Sequence, residues 1–334
     1  MAGSYVAGET ASKFDALPVI CIQGPTACGK TQAAMAICRY LPVEIVSVDS
    51  SLVYRGMNIG TAKPDSKELH AYPHALVDIR DPQNTYSVEE FCRDARAEIR
   101  RIDANKRLPL LVGGTMFYFR SLFNGLSDLP AADPEFRQAL DEEAAIIGWP
   151  ALHKRLGKID PLTANRIGMN DRQRIQRALE IIHLSDDIPN VLYQNRRSRG
   201  TINGKRVEFI RVALADSNRK NLHQRISDRF DLMLEQGFET EVNGLLNRAE
   251  LNPELPALRM VGYRQMWAYL EGLSSFEDMR RAAIAATRQL AKRQLTWLRN
   301  TPGNVWFDCL QVALPETLWR YLSSKLANLG YNEH

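Results

Sequence analysis

The chain has 334 residues, 45% of them hydrophobic and 25% charged, with a formal net charge of +4. That balance excludes a wholly disordered chain, and no apolar run approaches the about 18–20 residues that cross a bilayer. At about 150 residues per domain, the length predicts two domains or one large domain with an insertion. The segment Met1 to Leu17 is polar, contains two acids and lacks the basic-then-apolar pattern of a secretory leader. An apolar strand, Val19 to Gln23, then leads through a Gly-rich turn into the helix-favouring Gln32 to Leu41. A second strand, Val43 to Val48, stops at Asp49. A helix is predicted over Val88 to Asn105, and a third strand, Leu108 to Val112, runs into Gly113-Gly114-Thr115. Strands and helices alternating at this length predict a parallel α/β sheet. Beyond Asn124 the strand signal fades, and Asp133 to Ile147, Pro150 to Leu156 and Asp171 to His183 read as helices. A mainly helical insertion is therefore predicted over residues 121–200, between core segments 1–120 and 201–334. Gln194 to Lys205 is basic and turn-rich, a predicted mobile loop. Val207 to Leu214 reads as a strand returning to the sheet, and long helices are predicted over 218–248 and 276–299.

Five cysteines, Cys21, Cys28, Cys38, Cys92 and Cys309, are scattered without a C-x-x-C pair. This argues against a disulfide framework or a zinc ribbon and fits a reducing cytoplasm. The i, i+4 histidines His70 and His74 are separated by Pro73, which spoils a helical metal-binding face. Charge is unevenly placed: Pro161 to Phe230 holds fourteen Arg or Lys against seven Asp or Glu, and Arg280 to Asn300 holds six basic residues and no acid. Two such runs point to a polyanionic partner, because each cation set against a phosphate releases condensed counterions. At 100° per residue, Arg281, Arg288, Lys292 and Arg299 fall within about 40° of one another on a helix. Ala283, Ala286, Leu290 and Trp297 gather opposite, so a phosphate-tracking stripe backed by a buried face is predicted. A solvated helix face is the bland alternative for either run.

Gly24-Pro25-Thr26-Ala27-Cys28-Gly29-Lys30-Thr31 fits G-x-x-x-x-G-K-[ST] without a mismatch, with strand before and helix after as the motif requires. The glycines let backbone N–H groups turn inward as an anion nest, and the following helix adds its positive dipole end. Lys30 is placed to reach terminal phosphate oxygens and the Thr31 hydroxyl to hold Mg²⁺. Cys28 doubles as a small turn residue whose thiol, at a helix N-terminus, is open to acidification. A nucleotide-hydrolysing P-loop protein usually has an apolar strand ending in an Asp that holds Mg²⁺; here Leu108 to Val112 ends in Gly113-Gly114-Thr115. The acid stands instead after the second strand, at Asp49, where it can take a proton from an acceptor substrate; capping the next turn is its alternative role.

Taken with GPTACGKT (24–31), the segments SVDSSLVYRGMNIGTAKP (47–64), LVGGTMFYFRSLFNGLSDLP (111–130), DRQRIQRALEI (171–181), LHQRISDRFDLMLEQGFETEV (222–242), RMVGYRQMW (259–267) and ATRQLAKRQLTWLR (286–299) resemble the tRNA dimethylallyltransferase family over nearly the whole chain. The resemblance implies transfer of a dimethylallyl group from dimethylallyl diphosphate to N6 of the adenosine just 3′ of the anticodon. It implies a P-loop NTPase-like α/β core with an inserted, mainly helical tRNA-binding domain. The diphosphate would lie on Gly24, Pro25, Thr26, Ala27, Cys28, Gly29, Lys30 and Thr31, neutralised by Mg²⁺ on Thr31 and by Arg229, although the family was long catalogued with ATP-binding proteins. Asp49 would be the general base. The tRNA contacts it implies are Asp49, Ser50, Ser51, Leu52, Thr115, Arg137, Gln173, Arg174, Ile175, Gln176, Arg177, Arg259, Met260, Val261, Gly262, Tyr263, Arg264, Lys292, Arg293, Gln294, Leu295, Thr296, Trp297, Leu298 and Arg299. Tyr263 and Trp267 read as core before stacking platform, and Arg166 and Arg172 as solvated. Cys28 replaces the family's usual Ser, and the eukaryotic C-terminal zinc finger is missing, as in bacterial members. A cytoplasmic monomer without membrane association is expected. Rival readings are an adenylate isopentenyltransferase, a nucleoside or nucleotide kinase, and a non-catalytic RNA-binding NTPase switch. The basic insertion and the 280–299 stripe oppose a free-nucleotide acceptor.

Overall fold

The computed structural model describes residues 16–127, 129–185, 187–193 and 201–331. They fall into two compact units, one drawn from Met1–Ser121 and Gly200–His334, the other from Leu122–Arg199. The N-terminal stretch as far as residue 15, and residues 194–200 of the predicted loop, lie outside the described residues.

In the first unit, β1 (Ala16–Gln23) is followed by α1 (Lys30–Ile37) and β2 (Val43–Ser47). The short α2 (Ser66–Ala71) and β3 (His74–Ala75) precede α3 (Val88–Ala104) and β4 (Leu108–Gly113). α3 starts where Ser87 and Glu90 cap each other's backbone, a reciprocal arrangement that satisfies two orphan N–H groups. α4 (Met116–Asn124) ends the segment. After the second unit, the chain re-enters as β5 (Thr201–Ile202) and β6 (Lys205–Ala215). Strand order is β3-β2-β4-β1-β6-β5, with β7 (Val305–Asp308) also pairing with β6; all pairs are parallel except β5 with β6.

β1 and β4 are buried almost end to end, as parallel strands covered on both faces must be. One core cluster joins β1, β2, β4 and β6 to α1 and to Leu314, Leu318, Leu322 and Leu326 of the C-terminal helix (Leu314–Asn328). The predicted loop ending at Lys205 is corrected for its described part. Asn203 (φ 51°) and Gly204 (φ 75°) close a tight hairpin between β5 and β6, since Asn-Gly accepts the left-handed turn that matches strand twist. The predicted helix over 218–248 is two helices, Arg219–Glu235 and Phe238–Leu246, split at Gly237 (φ 95°). Sequence reasoning also missed β3, β5, β7, α4, the C-terminal helix and Tyr263–Leu270; most are short or lack a clean period.

The second unit contains α5 (Pro134–Ile147), α6 (Trp149–Ile159), α7 (Pro161–Ala164), α8 (Arg172–Leu184) and α9 (Pro189–Leu192). Leu140, Leu152, Leu156, Ile175 and Leu179 form its core. Inside it Glu180, with no exposed side-chain surface, accepts from Arg137 at 2.7 and 2.8 Å, from Arg177 at 2.5 Å and from the Asp133 N–H at 2.8 Å. Continuing the numbering, α10 is Arg219–Glu235, α11 Phe238–Leu246, α12 Tyr263–Leu270, α13 Phe276–Arg299 and α14 Leu314–Asn328. No described helix is long and apolar enough to cross a membrane.

Candidate active site

Where β1 meets α1, the phosphate loop takes the shape its sequence demands. Ala27 (φ 62°) and Gly29 (φ 78°) are both left-handed, which turns successive N–H groups to one side; at Ala27 that conformation carries strain. Gly24 has no room for a side chain: a Cβ there would lie 2.6 Å from Cys28 Sγ and 2.7 Å from the Leu214 carbonyl oxygen. Lys30 Nζ donates to the Pro25 carbonyl at 2.7 Å. The Thr26 N–H donates to Gln294 Oε1 at 2.9 Å.

A cavity of about 530 Å³ opens beside this loop, lined by Thr26, Lys30 and Thr31 and also by Asp49, Ser50 and Ser51. Asp49 Oδ1 accepts from the Ser51 N–H at 3.0 Å and from the Ser51 hydroxyl at 2.6 Å, so the turn-capping role is real. Oδ2 has no protein partner among the described residues. The Ser50 N–H donates to Thr115 Oγ1 at 2.9 Å. The carboxylate's loop is thus held from the far end of β4.

Arg229, on α10, lines this cavity and a second of about 220 Å³ that also borders the phosphate loop. It has no carboxylate or hydrogen-bond partner among the described residues. Burial pushes its guanidinium below the ordinary arginine range; the Cys28 thiol opposes that and Arg225 adds to it. A half-buried, unpaired cation is costly unless an anion meets it. The remaining walls are largely apolar, with Met116, Phe117, Met233, Leu290 and Trp297. Phe117 and Trp297 meet edge to face at 6.5 Å.

Several expected RNA contacts are corrected. Ile175 and Leu298 are 0 and 1% exposed, so their side chains serve the core; Tyr263 is also 0% exposed but lines the cavity as well. Tyr263 donates to Glu241 Oε1 at 2.6 Å, and Glu241 also accepts the N–H groups of Asn58, Ile59 and Gly60; Trp267, 5% exposed, is likewise core. Arg137 and Arg177 are committed to Glu180, and Gln176 donates to the Arg137 carbonyl at 3.0 Å and to Asp141 at 2.9 Å. Gln173 and Arg174 remain exposed on α8, and Arg259, Arg264, Lys292, Arg293, Thr296 and Arg299 are exposed in the first unit. Met260, Val261 and Gly262 line the cavity, as does Leu52, while Leu295 is half-buried. Thr115 holds the Asp49 loop and Gln294 the phosphate loop. Arg166 and Arg172 are paired as well as solvated: Arg166 donates to Asn190 at 3.0 Å and Arg172 to Asp141 at 2.7 Å.

The stripe on α13 is also corrected. Arg288 turns toward α10, where its Nη2 donates to the His223 carbonyl at 3.5 Å and its Nε is buried without a partner among the described residues. The core seam is Met279, Ala283, Ile284, Ala291 and Leu298. Leu290 and Trp297, expected on the buried side, face the cavity. The helix therefore has three faces, because the cavity takes one that a two-sided wheel assigns to the core.

A mostly parallel sheet with a phosphate loop after its first strand, a carboxylate after its second and an arginine without a partner among the described residues defines a P-loop α/β protein with an anion-receptive cavity. The IPP transferase family model matches residues 52–301, and the chain belongs to that family. A tRNA dimethylallyltransferase of Cupriavidus necator is 53% identical over 294 residues, 88% of this chain and 91% of that protein. One of Coxiella burnetii is 52% identical over 290 residues, covering 87% and 92%. Among solved structures, a full-length tRNA isopentenylpyrophosphate transferase of Bacillus halodurans is 34% identical, with TM-score 0.68, over 94% of this chain and 98% of that one. A eukaryotic dimethylallyltransferase acting on tRNA is 25% identical, with TM-score 0.75, over 93% and 79%.

Proposed function

We propose that the protein is a tRNA dimethylallyltransferase, moving a dimethylallyl group from dimethylallyl diphosphate to N6 of the adenosine 3′ to the anticodon. The observation that carries this reading is a single cavity shared by the phosphate loop, the unpaired Arg229 and Asp49. The N6 amine attacks the allylic carbon as its C–O bond breaks, diphosphate leaves, and the amine proton passes to Asp49. Adenine N6 is a weak nucleophile, since its lone pair is delocalised into the ring, so a carboxylate within reach of that proton matters. Charge growing on the leaving group is met by preorganised N–H donors, Lys30 and Arg229. The apolar wall of Phe117, Leu290 and Trp297 suits a five-carbon chain and sheds water.

Thr31 would hold Mg²⁺ through its hydroxyl, an oxygen donor of the kind that ion prefers. Held there, the ion would supply charge neutralisation for the leaving diphosphate. The acceptor base lies in a stacked loop and must be flipped into the cavity, at a cost of a few kcal/mol. Exposed cations on α8 and α13 would track the RNA backbone, and action on tRNA by a monomer in the cytoplasm completes the proposal. Incubation with labelled dimethylallyl diphosphate and tRNA, in parallel with labelled ATP, tests it. Alkylated tRNA with ATP untouched is the expected result; phosphate transfer, or ATP consumption coupled to tRNA, overturns it in favour of a kinase or switch.

A further inference from the structure

Gln294 sits on α13 between two exposed basic residues of the sequence, Lys292 and Arg293, and Thr296, yet its amide is spent inside the protein. Oε1 accepts from the Thr26 N–H at 2.9 Å, and Nε2 donates to the Gly114 carbonyl at 2.9 Å. One neighbour is a donor and the other an acceptor, so only one orientation of the amide satisfies both. Among the described residues no other side chain accepts a backbone N–H of the phosphate loop. A Cβ on Gly114 would lie 2.6 Å from Nε2, so the contact also needs glycine at that position. The next residue, Thr115, accepts the Ser50 N–H at 2.9 Å, beside Asp49.

We propose that Gln294 is a positioning residue: it clamps the start of the phosphate loop to the turn after β4, and so holds the leaving-group site and Asp49 in one register. This rests on the transferase reading above. The Thr26 N–H is occupied by the clamp, which leaves the N–H groups further along the loop for the diphosphate. Without the clamp, the loop's entrance and the Asp49 turn move independently. A misplacement of about 1 Å at a reacting centre is worth roughly 10²-fold in rate.

The test compares Gln294→Met, which keeps length and loses both bonds, with Gln294→Glu, which keeps an acceptor for Thr26 and loses the donor to Gly114. Three quantities are measured: calorimetric binding of inorganic diphosphate with Mg²⁺, binding of an anticodon stem-loop RNA, and kcat against KM for the donor. Gln294→Met is expected to weaken diphosphate binding and lower donor kcat/KM by roughly 10- to 100-fold, with RNA affinity held within about twofold. Combined with Thr115→Ala, its kcat loss should be less than additive, because both side chains brace one turn. Lost RNA affinity with intact diphosphate binding would make Gln294 an RNA contact and overturn the proposal, as would wild-type values throughout or strict additivity. If the unaltered protein transfers nothing, the transferase reading fails, while diphosphate binding to the two variants still decides the clamp. Should Gln294→Met not fold, Gln294→Glu carries the same comparison.

Discussion

Arg229→Met should raise the stability of the protein while crippling its chemistry. Methionine matches the length of the arginine stem and removes the charge. In the free protein the guanidinium has no carboxylate partner among the described residues, and burial pushes it below the ordinary arginine range. Replacing unfavourably buried charge with a well-packed apolar side chain is worth about 1–2 kcal/mol here, at the low end because the residue is only half-buried. That raises the melting temperature by roughly 1–3 °C. With the donor bound, the same guanidinium gains charge-assisted bonds worth about 3 kcal/mol, so kcat/KM should fall by roughly 10²-fold. Arg229→Lys keeps the charge without the planar fork and should fall between the two. Scanning calorimetry of the free protein, diphosphate inhibition and steady-state transfer measure each part. A lower melting temperature with diphosphate inhibition intact would show that Arg229 is a satisfied structural group and refute the reasoning.

Asp49→Asn keeps the Ser51 cap and removes the base, so kcat should drop by roughly 10²-fold or more with RNA affinity little changed; turnover at the wild-type rate would remove Asp49 from that role. Lys292→Ala and Arg299→Ala should each lower the slope of log K against log salt by roughly one. Arg288→Ala should leave the slope unchanged, because that side chain faces α10. Glu180→Gln should destabilise the second unit by about 2–3 kcal/mol, since two guanidiniums lose their shared anion. Burial by itself raises the Glu180 pKa, but the Arg137 and Arg177 side chains and the Asp133 N–H together hold it below the ordinary value. Its contribution is therefore complete above the unfolded carboxylate pKa and is lost as pH falls through the lower folded value. Acid titration of the second unit followed by near-UV dichroism should show that loss in wild type and its absence in Glu180→Gln.

What could be read from sequence was whatever chemistry is local. The phosphate loop is eight consecutive residues with the strand and helix that the motif requires, and Asp49 stands at the end of an apolar strand. The interior strands were legible because parallel strands buried on both faces are continuous apolar runs. Edges were not: β3 and β5 have two residues each, and β7 pairs with a strand about ninety positions earlier. The same limit governs side chains. Gln294 and Thr26 are separated by 268 positions, and Gln294 and Gly114 by 180, so nothing local marks the clamp. Arginines misled in the second unit because α8 places Arg177 and Glu180 one turn apart, and the buried carboxylate claims the cations that composition alone offers to RNA.

The glycines after β4 bear on the proposed use of this phosphate loop for a leaving group. In nucleotide-hydrolysing relatives of the fold, a strand beside the loop usually ends in a carboxylate that holds the metal. Here that position is closed by the backbone itself. A Cβ on Gly113, the last residue of β4, would lie 2.0 Å from the Val48 carbonyl oxygen, because β2 runs on past its last sheet residue and bonds across at Val48. The crowding that forbids an acid on β4 comes from the segment that carries Asp49. The carboxylate therefore stands not on β4 but in the loop after β2, which Thr115, one residue beyond the glycine pair, holds through the Ser50 N–H. In the proposed reaction it is there to take the proton that the amine of a second substrate must shed as its C–N bond forms.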